Sequence, residues 1–499
     1  MSSRLQILSY VIVSVFLVFF MSCGIADSLR KAYSENISWR PLSHYQGHET
    51  TSIPDVAHYV HVRKLSQEEF PLDDPKKRAI IVGDVHGMIN SLEKLLKRVK
   101  YSSSNDVLIH VGDVAVKASH AGSLAVLKFM SSNNVIGVRG NHDQKIIEWR
   151  GWLTWVFSVP GATKWLERLE NKWSEAQRKD PDLDLETWLE KRRKSSTEKD
   201  IAWWKLIPKD WIIFSDHYQI AKDMSDADFH YLLKLPLRLY IPSAHAFIVH
   251  AGLLPSDPDY PRDDKARQPL AAVPDLPHPQ RPTVAANITW EEALQEDLDD
   301  PTSYSSPTKT IEHLRNLQEI AILTRIPQNK DPWAVLNMRS IIDGEVSKKS
   351  NKGTPWAKIW KDHMKHCVGF RNELENELDD DYKGRDRDIE EQNLRLKCYP
   401  STVIYGHAAS RGLDIKRWSF GLDSGCIYRR RLSALVIQGR AESSEEIILD
   451  DLSDDNFDED APNEDEDDDI DGPINTYTKK SLPFGDHNTA DIVSVKCTA

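Results

Sequence analysis

Arg78-Ala-Ile-Ile-Val-Gly-Asp-Val-His-Gly87 is an apolar run that stops at a glycine and breaks into an aspartate and a histidine. Such a short run, closed by Gly83, reads as a buried strand. Ile89, Leu92, Leu95, Leu96 and Val99 then recur at helical spacing. The same unit follows twice more. Asp106–Val111 is a second strand and runs into Gly112-Asp113, Leu124–Met130 is a second helix, and Val135–Val138 is a third strand before Gly140-Asn141-His142-Asp143. Strand, helix, strand, helix, strand predicts an α/β fold with a parallel sheet and right-handed crossovers. Asp84 and Asp113 are 29 residues apart and Asp113 and Asn141 are 28 apart, one crossover each. The polar residues then share the carboxyl edge of one sheet, where α/β sites form.

Further along, Phe247-Ile-Val249 ends in His250-Ala-Gly252, and Thr402-Val-Ile-Tyr405 ends in Gly406-His407. Ser433–Gln438 reads as the last strand, and Lys309–Leu323 and Arg371–Leu378 read as helices. Each polar cluster alone has a bland explanation: a Gly-Asp is usually a turn, a lone histidine a packed one, an Asn-His a cap. Five strand-end clusters in order are a different signal. Asp84, His86, Asp113, Asn141, His250 and His407 make a mixed imidazole, carboxylate and amide set. That set suits Zn, Mn or Fe better than Ca or Mg. Asp113 is the natural bridge between two ions about 3.5–4 Å apart, which together activate a hydroxide near neutral pH.

These motifs, GDVHG (83–87), GD (112–113), GNHD (140–143), HAG (250–252) and GH (406–407), resemble those of the calcineurin-like metallophosphoesterases. The resemblance covers about 78–440. It implies a two-sheet sandwich flanked by helices. It implies one metal on Asp84, His86 and His407, another on Asn141 and His250, and Asp113 between them. Two divalent ions are expected, with Zn favoured over Mn, Co or Fe. Leu422-Asp-Ser-Gly-Cys426 and Arg431-Leu-Ser-Ala-Leu435 are similar to the C-terminal strand pair of the protein phosphatase and tetraphosphatase branch. In that branch the residue at His142 is the general acid. One departure stands out: the branch carries Asp-Arg where this chain has Val116 and Lys117. Lys117 keeps a phosphate-binding charge without the bidentate fork, and Val116 cannot orient His142.

That departure is similar to the tetraphosphatase-like subgroup that includes the fungal vacuolar zinc-dependent endopolyphosphatases, as are Pro332–Arg339 and Pro355–Trp360. The implied activity is hydrolysis of phosphoanhydrides, foremost the internal bonds of inorganic polyphosphate. Lys117 and Arg339 would clamp the phosphoryl group, and Arg139 and Arg411, beside ligand positions, would extend the anion track. The rivals are a Ser/Thr protein phosphatase, a dinucleoside polyphosphate hydrolase and a metal-binding scaffold without turnover. Nothing in the sequence points to nucleic acid.

The net charge of −13 is uneven: 17 acidic residues and no Lys or Arg lie between Glu442 and Asp471, and without them the balance is +4. Residues 441–499 are therefore expected to be an acidic, largely disordered tail. At the other end, the 22 residues from Leu5 to Ala26 carry no charge. About 20 such residues span a bilayer, so residues 1–26 are expected to be a signal anchor, with a cleaved signal peptide as the alternative. Sequons at Asn36 and Asn287 favour a body in a secretory lumen, which with the resemblance gives a single-pass membrane protein with a luminal catalytic domain in the vacuole. Residues 27–75 read as a luminal stalk, 76–440 as the catalytic domain and 149–211 as a helical insertion. That insertion holds nine of the 15 Trp, which read as packing residues between helices. The five cysteines form no disulfide framework, though Cys367 and Cys398 are candidates to pair.

Overall fold

Ala79-Ile-Ile-Val82 forms a strand because its alternate side chains find two different cores. In the computed structural model, which describes residues 57–275, 289–291, 294, 307–370, 395–439 and 476–498, Ala79 and Ile81 join one apolar cluster. Ile80 and Val82, buried as well, point to the opposite face of the sheet.

The strands, in chain order, are β1 (Val60–Lys64), β2 (Arg78–Val82), β3 (Asp106–His110), β4 (Ile136–Gly137), β5 (Pro236–Ile241), β6 (Ala246–Val249), β7 (Ser340–Ile342), β8 (Glu345–Ser347), β9 (Thr354–Pro355), β10 (Thr402–Tyr405), β11 (Asp414–Lys416), β12 (Ser419–Gly421), β13 (Arg431–Gln438), β14 (Thr476–Phe484) and β15 (Asn488–Lys496). They build two six-stranded sheets, β14-β15-β13-β2-β3-β4 and β1-β5-β6-β10-β12-β11, and a small sheet β8-β7-β9. β2, β3 and β4 run parallel, as the spacing predicts. β6, β10 and β12 are also parallel. The large sheets face each other over one apolar layer: Ile81, Ile109 and Leu435 meet Ile248, Ile404 and Phe420. Phe247, Val249, Val403 and Tyr405 point the other way and pack with Trp356, Trp360, Ile320 and Leu323, from helices Trp356–Lys365 and Pro307–Arg325. The fold is thus a two-sheet α/β sandwich flanked by helices.

The structure corrects the expected ends of the domain. β1 lies within the expected stalk, pairs in parallel with β5, and is followed by the buried Leu65, Phe70 and Leu72. The folded chain therefore begins before Lys76. The expected disordered tail also ends in structure. β15 pairs with β13, β14 pairs with β15, and Leu482, Phe484, Ala490 and Ile492 enter the inter-sheet core. A disulfide from Cys426 to Cys497 fixes this return, beside the Cys367–Cys398 disulfide. The apolar span 5–26, the sequon residues Asn36 and Asn287, the 371–378 helix and the acidic stretch 442–471 lie outside the described residues. No helix among the described residues is long and apolar enough to cross a membrane.

Within the insertion, helices Asn141–Ser158, Ala162–Lys179, Leu185–Lys194 and Glu198–Trp204 follow one another. Trp149, Trp152, Trp165, Trp173, Trp188 and Trp204 are buried. Trp165 meets Trp204 edge-on at 5.5 Å, and Trp173 lies 5.2 Å from Trp188. Edge-to-face and tilted pairs at these separations are packing contacts.

Candidate metal centre

The loops after β2, β3, β4, β6, β10 and β12 leave the two sheets at one edge and bring their polar residues together. Sharp turns are needed to do this. His86, Asp113 and His407 all have positive φ (48°, 51° and 66°), as do Val116 and Lys117 (77° and 70°). Left-handed backbone at non-glycine residues, and at the β-branched Val116 above all, is costly and concentrates at functional sites. Two glycines make the close approach possible. A Cβ on Gly140 would sit 2.1 Å from Asp113 Oδ1, and one on Gly406 would sit 2.0 Å from Asp84 Oδ1.

Two groups of buried side chains could each hold a cation. The ligand atoms of Asp84, His86 and Asp113 lie within 4.8 Å of one another, and so do those of Asp113, His250 and His407. Asp113 is common to both. His250 donates from Nδ1 to the Val111 carbonyl (2.9 Å) and turns Nε2 toward Asn141 Oδ1 (3.0 Å) and Asp113 Oδ2 (3.5 Å). The Nδ1–H bond to Val111 leaves Nε2 as the nitrogen that can ligate a metal. His86 Nε2 is 3.7 Å from the same Asp113 oxygen. The His407 amide donates to both oxygens of Asp84 (3.1 and 3.2 Å), so this loop touches both groups. Its side chain clusters with His250 rather than with His86, against the resemblance-based pairing. The buried His86 Nδ1 and His407 Nε2 meet no hydrogen-bond partner at normal geometry. Stranded imidazole nitrogens beside crowded carboxylates fit cation ligands.

The electrostatics agree. Burial, with Asp423 and Asp113 nearby, raises the Asp84 carboxyl well above the usual range. Burial alone would also raise Asp113, but His250 and His142 hold it well below that range. Burial lowers His250, yet the charge of Asp113 outweighs this and carries it up to about 9. Burial drops His86 to about 4 and pushes His407 well down.

His142 donates its backbone N–H to Asp113 Oδ1 at 2.9 Å, and its ring meets that of His86 edge-on at 5.5 Å. Its Nδ1 is 2.8 Å from Nε2 of His217. Burial, against the pull of Asp113, lowers His142 to about 2 and His217 to about 4. Lys117 is exposed and near enough to depress His86 and His142. Arg339 donates to the carbonyls of Lys348 and His407 (both 3.0 Å), with Asp423, Asp113 and Asp84 acting on its charge. Arg411 donates to the Arg339 carbonyl at 2.9 Å and stands behind it.

Arg139 is not part of an anion track. It is fully buried, and its guanidinium donates to the carbonyls of His58, Leu232 and Leu233 and to Gln144 Oε1. It ties segments together behind the site. Two carboxylates escaped the sequence reading. Asp143 accepts from the amides of Asp113, Val114 and Gly140 at 2.9–3.1 Å, locking the second ligand loop to the third. Asp423 is buried beyond β12 and acts on Asp84. Both signals were available: Asp143 is the last residue of GNHD, and Asp423 is another strand-end aspartate before a glycine.

Residues 77–247 match the family model of calcineurin-like phosphoesterases. The chain is 32% identical over 114 residues to a symmetrical bis(5'-nucleosyl)-tetraphosphatase of Haemophilus ducreyi, covering 22% of this chain and 37% of that protein. It is 29% identical over 89 residues to serine/threonine-protein phosphatase 1 of Salmonella typhimurium, covering 18% and 40%. A solved structure of a candidate diadenosine tetraphosphatase aligns with a TM-score of 0.35 and 20% identity, over 76% of this chain and 94% of that one. The chain spans well under half the length of the curated relatives it matches.

Proposed function

We propose, from the match of residues 77–247 to the calcineurin-like phosphoesterase model, that the chain hydrolyses phosphoanhydride bonds at a pair of divalent metal ions. The observation that carries this reading is the membership of Asp113 in both buried ligand groups. Asp84 and His86 would hold one ion, His250 and His407 with the neighbouring Asn141 amide oxygen the other, and Asp113 would serve both. Zn is the favoured metal, since the set is rich in imidazole. Two such ions, when bound, neutralise a phosphoryl group and supply an activated water.

The chain's own cations do the rest of the binding. Lys117 and Arg339 face the phosphoryl group, and Arg411 fixes the backbone of Arg339. His142 protonates the leaving oxygen. No phosphoenzyme forms, and electrostatic stabilisation lowers the barrier.

The substrate we favour is inorganic polyphosphate, cut internally. Support comes from the exposed Lys117 in place of an arginine, from the Pro332–Arg339 segment, and from relatives named for a phosphoanhydride substrate. We place the domain in the vacuolar lumen behind a single-pass anchor. Two disulfides suit an oxidising compartment. The deciding experiment incubates the zinc-loaded protein with long-chain polyphosphate and resolves the products on a gel. Mid-length chains are the expected result; phosphate alone means cleavage from the ends. An unchanged ladder, with diadenosine tetraphosphate hydrolysed instead, transfers the assignment to the dinucleotide. Release of phosphate only from a phosphopeptide transfers it to protein substrates.

A further inference from the structure

The acid His142 needs a partner at Nδ1, because a ring that rotates or changes tautomer presents the wrong nitrogen to the leaving oxygen. The residue that resemblance would assign to this task is aliphatic here: Val116 is buried, and its amide donates to Ser123 Oγ at 3.1 Å. The nitrogen that does reach Nδ1 comes from elsewhere. His217 Nε2 is 2.8 Å away, and the 5.0 Å between ring centroids fits two rings meeting end-on through these nitrogens.

We propose that His217 is the positioning residue for His142, acting from helix Asp216–Asp223 in place of a carboxylate on the Val116 loop. The inference rests on the phosphohydrolase reading above. With Nδ1 engaged, only Nε2 of His142 is left to face substrate. In the step, the bond from phosphorus to the leaving oxygen breaks, and that oxygen takes an Nε2 proton from His142, which burial keeps neutral before substrate binds and which takes up that proton from solvent when the anionic phosphoryl group binds against it. His142 is left neutral, its Nδ1–H still donated to His217 Nε2. An acceptor at that point keeps the product tautomer and the ring orientation.

The Trp-rich insertion gives His217 its rigidity. Tyr218, its neighbour, is buried and packs edge-on against Trp149 (5.2 Å) and Phe214 (5.3 Å). Trp149 also contacts Trp152 and Trp211 at 5.3 and 4.6 Å. Aromatic packing thus reaches the reacting centre through one hydrogen bond.

The test compares His217→Ala and His217→Gln with wild type, all zinc-loaded, on aryl phosphates with good and poor leaving groups. A dinitrophenolate leaves without a proton, whereas a phenolate needs one. His217→Ala should lose kcat on phenyl phosphate at least ~10-fold more than on 2,4-dinitrophenyl phosphate. KM and zinc content should hold, and His217→Gln, whose amide oxygen can replace Nε2 as acceptor, should recover most of the loss. Equal losses on both esters overturn the proposal. A second measurement needs no turnover: long-range ¹H–¹⁵N spectra, with His142 assigned by its Gln variant. Nδ1–H in wild type and Nε2–H in His217→Ala support the proposal; an identical tautomer in both overturns it. If wild type cleaves no phosphate compound, the functional reading fails, and the spectra alone decide the role of His217.

Discussion

The ligand loops and the Trp-rich insertion are neighbours in the fold but opposite in physical character. The loops hold Asp84, Asp113, Asp143 and Asp423 buried close together on a backbone bent into left-handed turns. Nothing about that arrangement favours folding: like charges repel, burial strips their water, and the turns are strained. The insertion does the reverse. It buries Trp149, Trp152, Trp165, Trp173, Trp188 and Trp204 and keeps its charges, such as Arg192 over the Trp188 ring at 5.3 Å, on the outer side of the aromatic packing. The contrast separates residues kept for chemistry at a cost in stability from residues that supply the stability. The two meet at His217.

The largest effect should come from breaking the loops at their shared carboxylate. Asp113→Asn keeps size and hydrogen-bonding capacity but removes the charge common to both ligand groups. Turnover on polyphosphate should fall by ~10³-fold or more, while the melting temperature stays within a few degrees of wild type. Wild-type rates from a folded Asp113→Asn protein would dispose of the bridging assignment. The insertion should respond the opposite way. Trp152 is fully buried and donates Nε1–H to the Leu206 carbonyl at 2.7 Å. Trp152→Ala should cost about 3–5 kcal/mol in urea unfolding, with zinc stoichiometry unchanged in the fraction that remains folded. A smaller cost would mean that the insertion is not a packed unit.

What was legible follows the same division. β2, β3, β6 and β10 were readable because each buries both faces and becomes a short apolar run. The ligands were readable because each run breaks at its end into a ligand-type residue with a glycine close by. β1 was missed because Val60–Lys64 is only partly buried and carries two charges. β14 and β15 were missed because they lie beyond the acidic stretch, where composition argues against structure, and the hairpin they form joins the sheet only through β13, far back in sequence. Arg139 was misread because adjacency to a ligand in sequence does not say which way a side chain points. His217 carried no signal, since its role exists only across two helices 75 residues apart.

The C-terminal return sharpens the comparison from a third side, as stability supplied by a covalent link rather than by packing. The Cys426–Cys497 disulfide closes a separation of 71 residues that contains the acidic stretch. Cys497→Ser should lower unfolding free energy by about 2–4 kcal/mol. Under reducing conditions, which also open Cys367–Cys398, wild type and variant should converge on one value. No change on reduction would show that β15 is held by its pairing to β13 alone.

The smallest effect distinguishes the two regions by pH. In the metal-free chain His250 is raised to about 9 by Asp113, above its ordinary 6.5. A histidine whose folded value is raised contributes stability that is fully present below the unfolded value and is lost as pH climbs through the folded one. The metal-free protein should therefore weaken between about pH 6.5 and about pH 9, by something on the order of 1–2 kcal/mol once solvent relaxation is allowed for. Zinc competes with that same proton, so its affinity should strengthen over the same window. Opposite slopes for metal-free stability and zinc affinity would tie both to His250, and His250→Gln should flatten the two together. The insertion, whose contacts are aromatic, offers no group to give the stability slope, so a Trp152→Ala protein should keep it. Parallel slopes, or a slope that survives His250→Gln, would place the titration elsewhere and separate the metal centre from the Asp113–His250 pair.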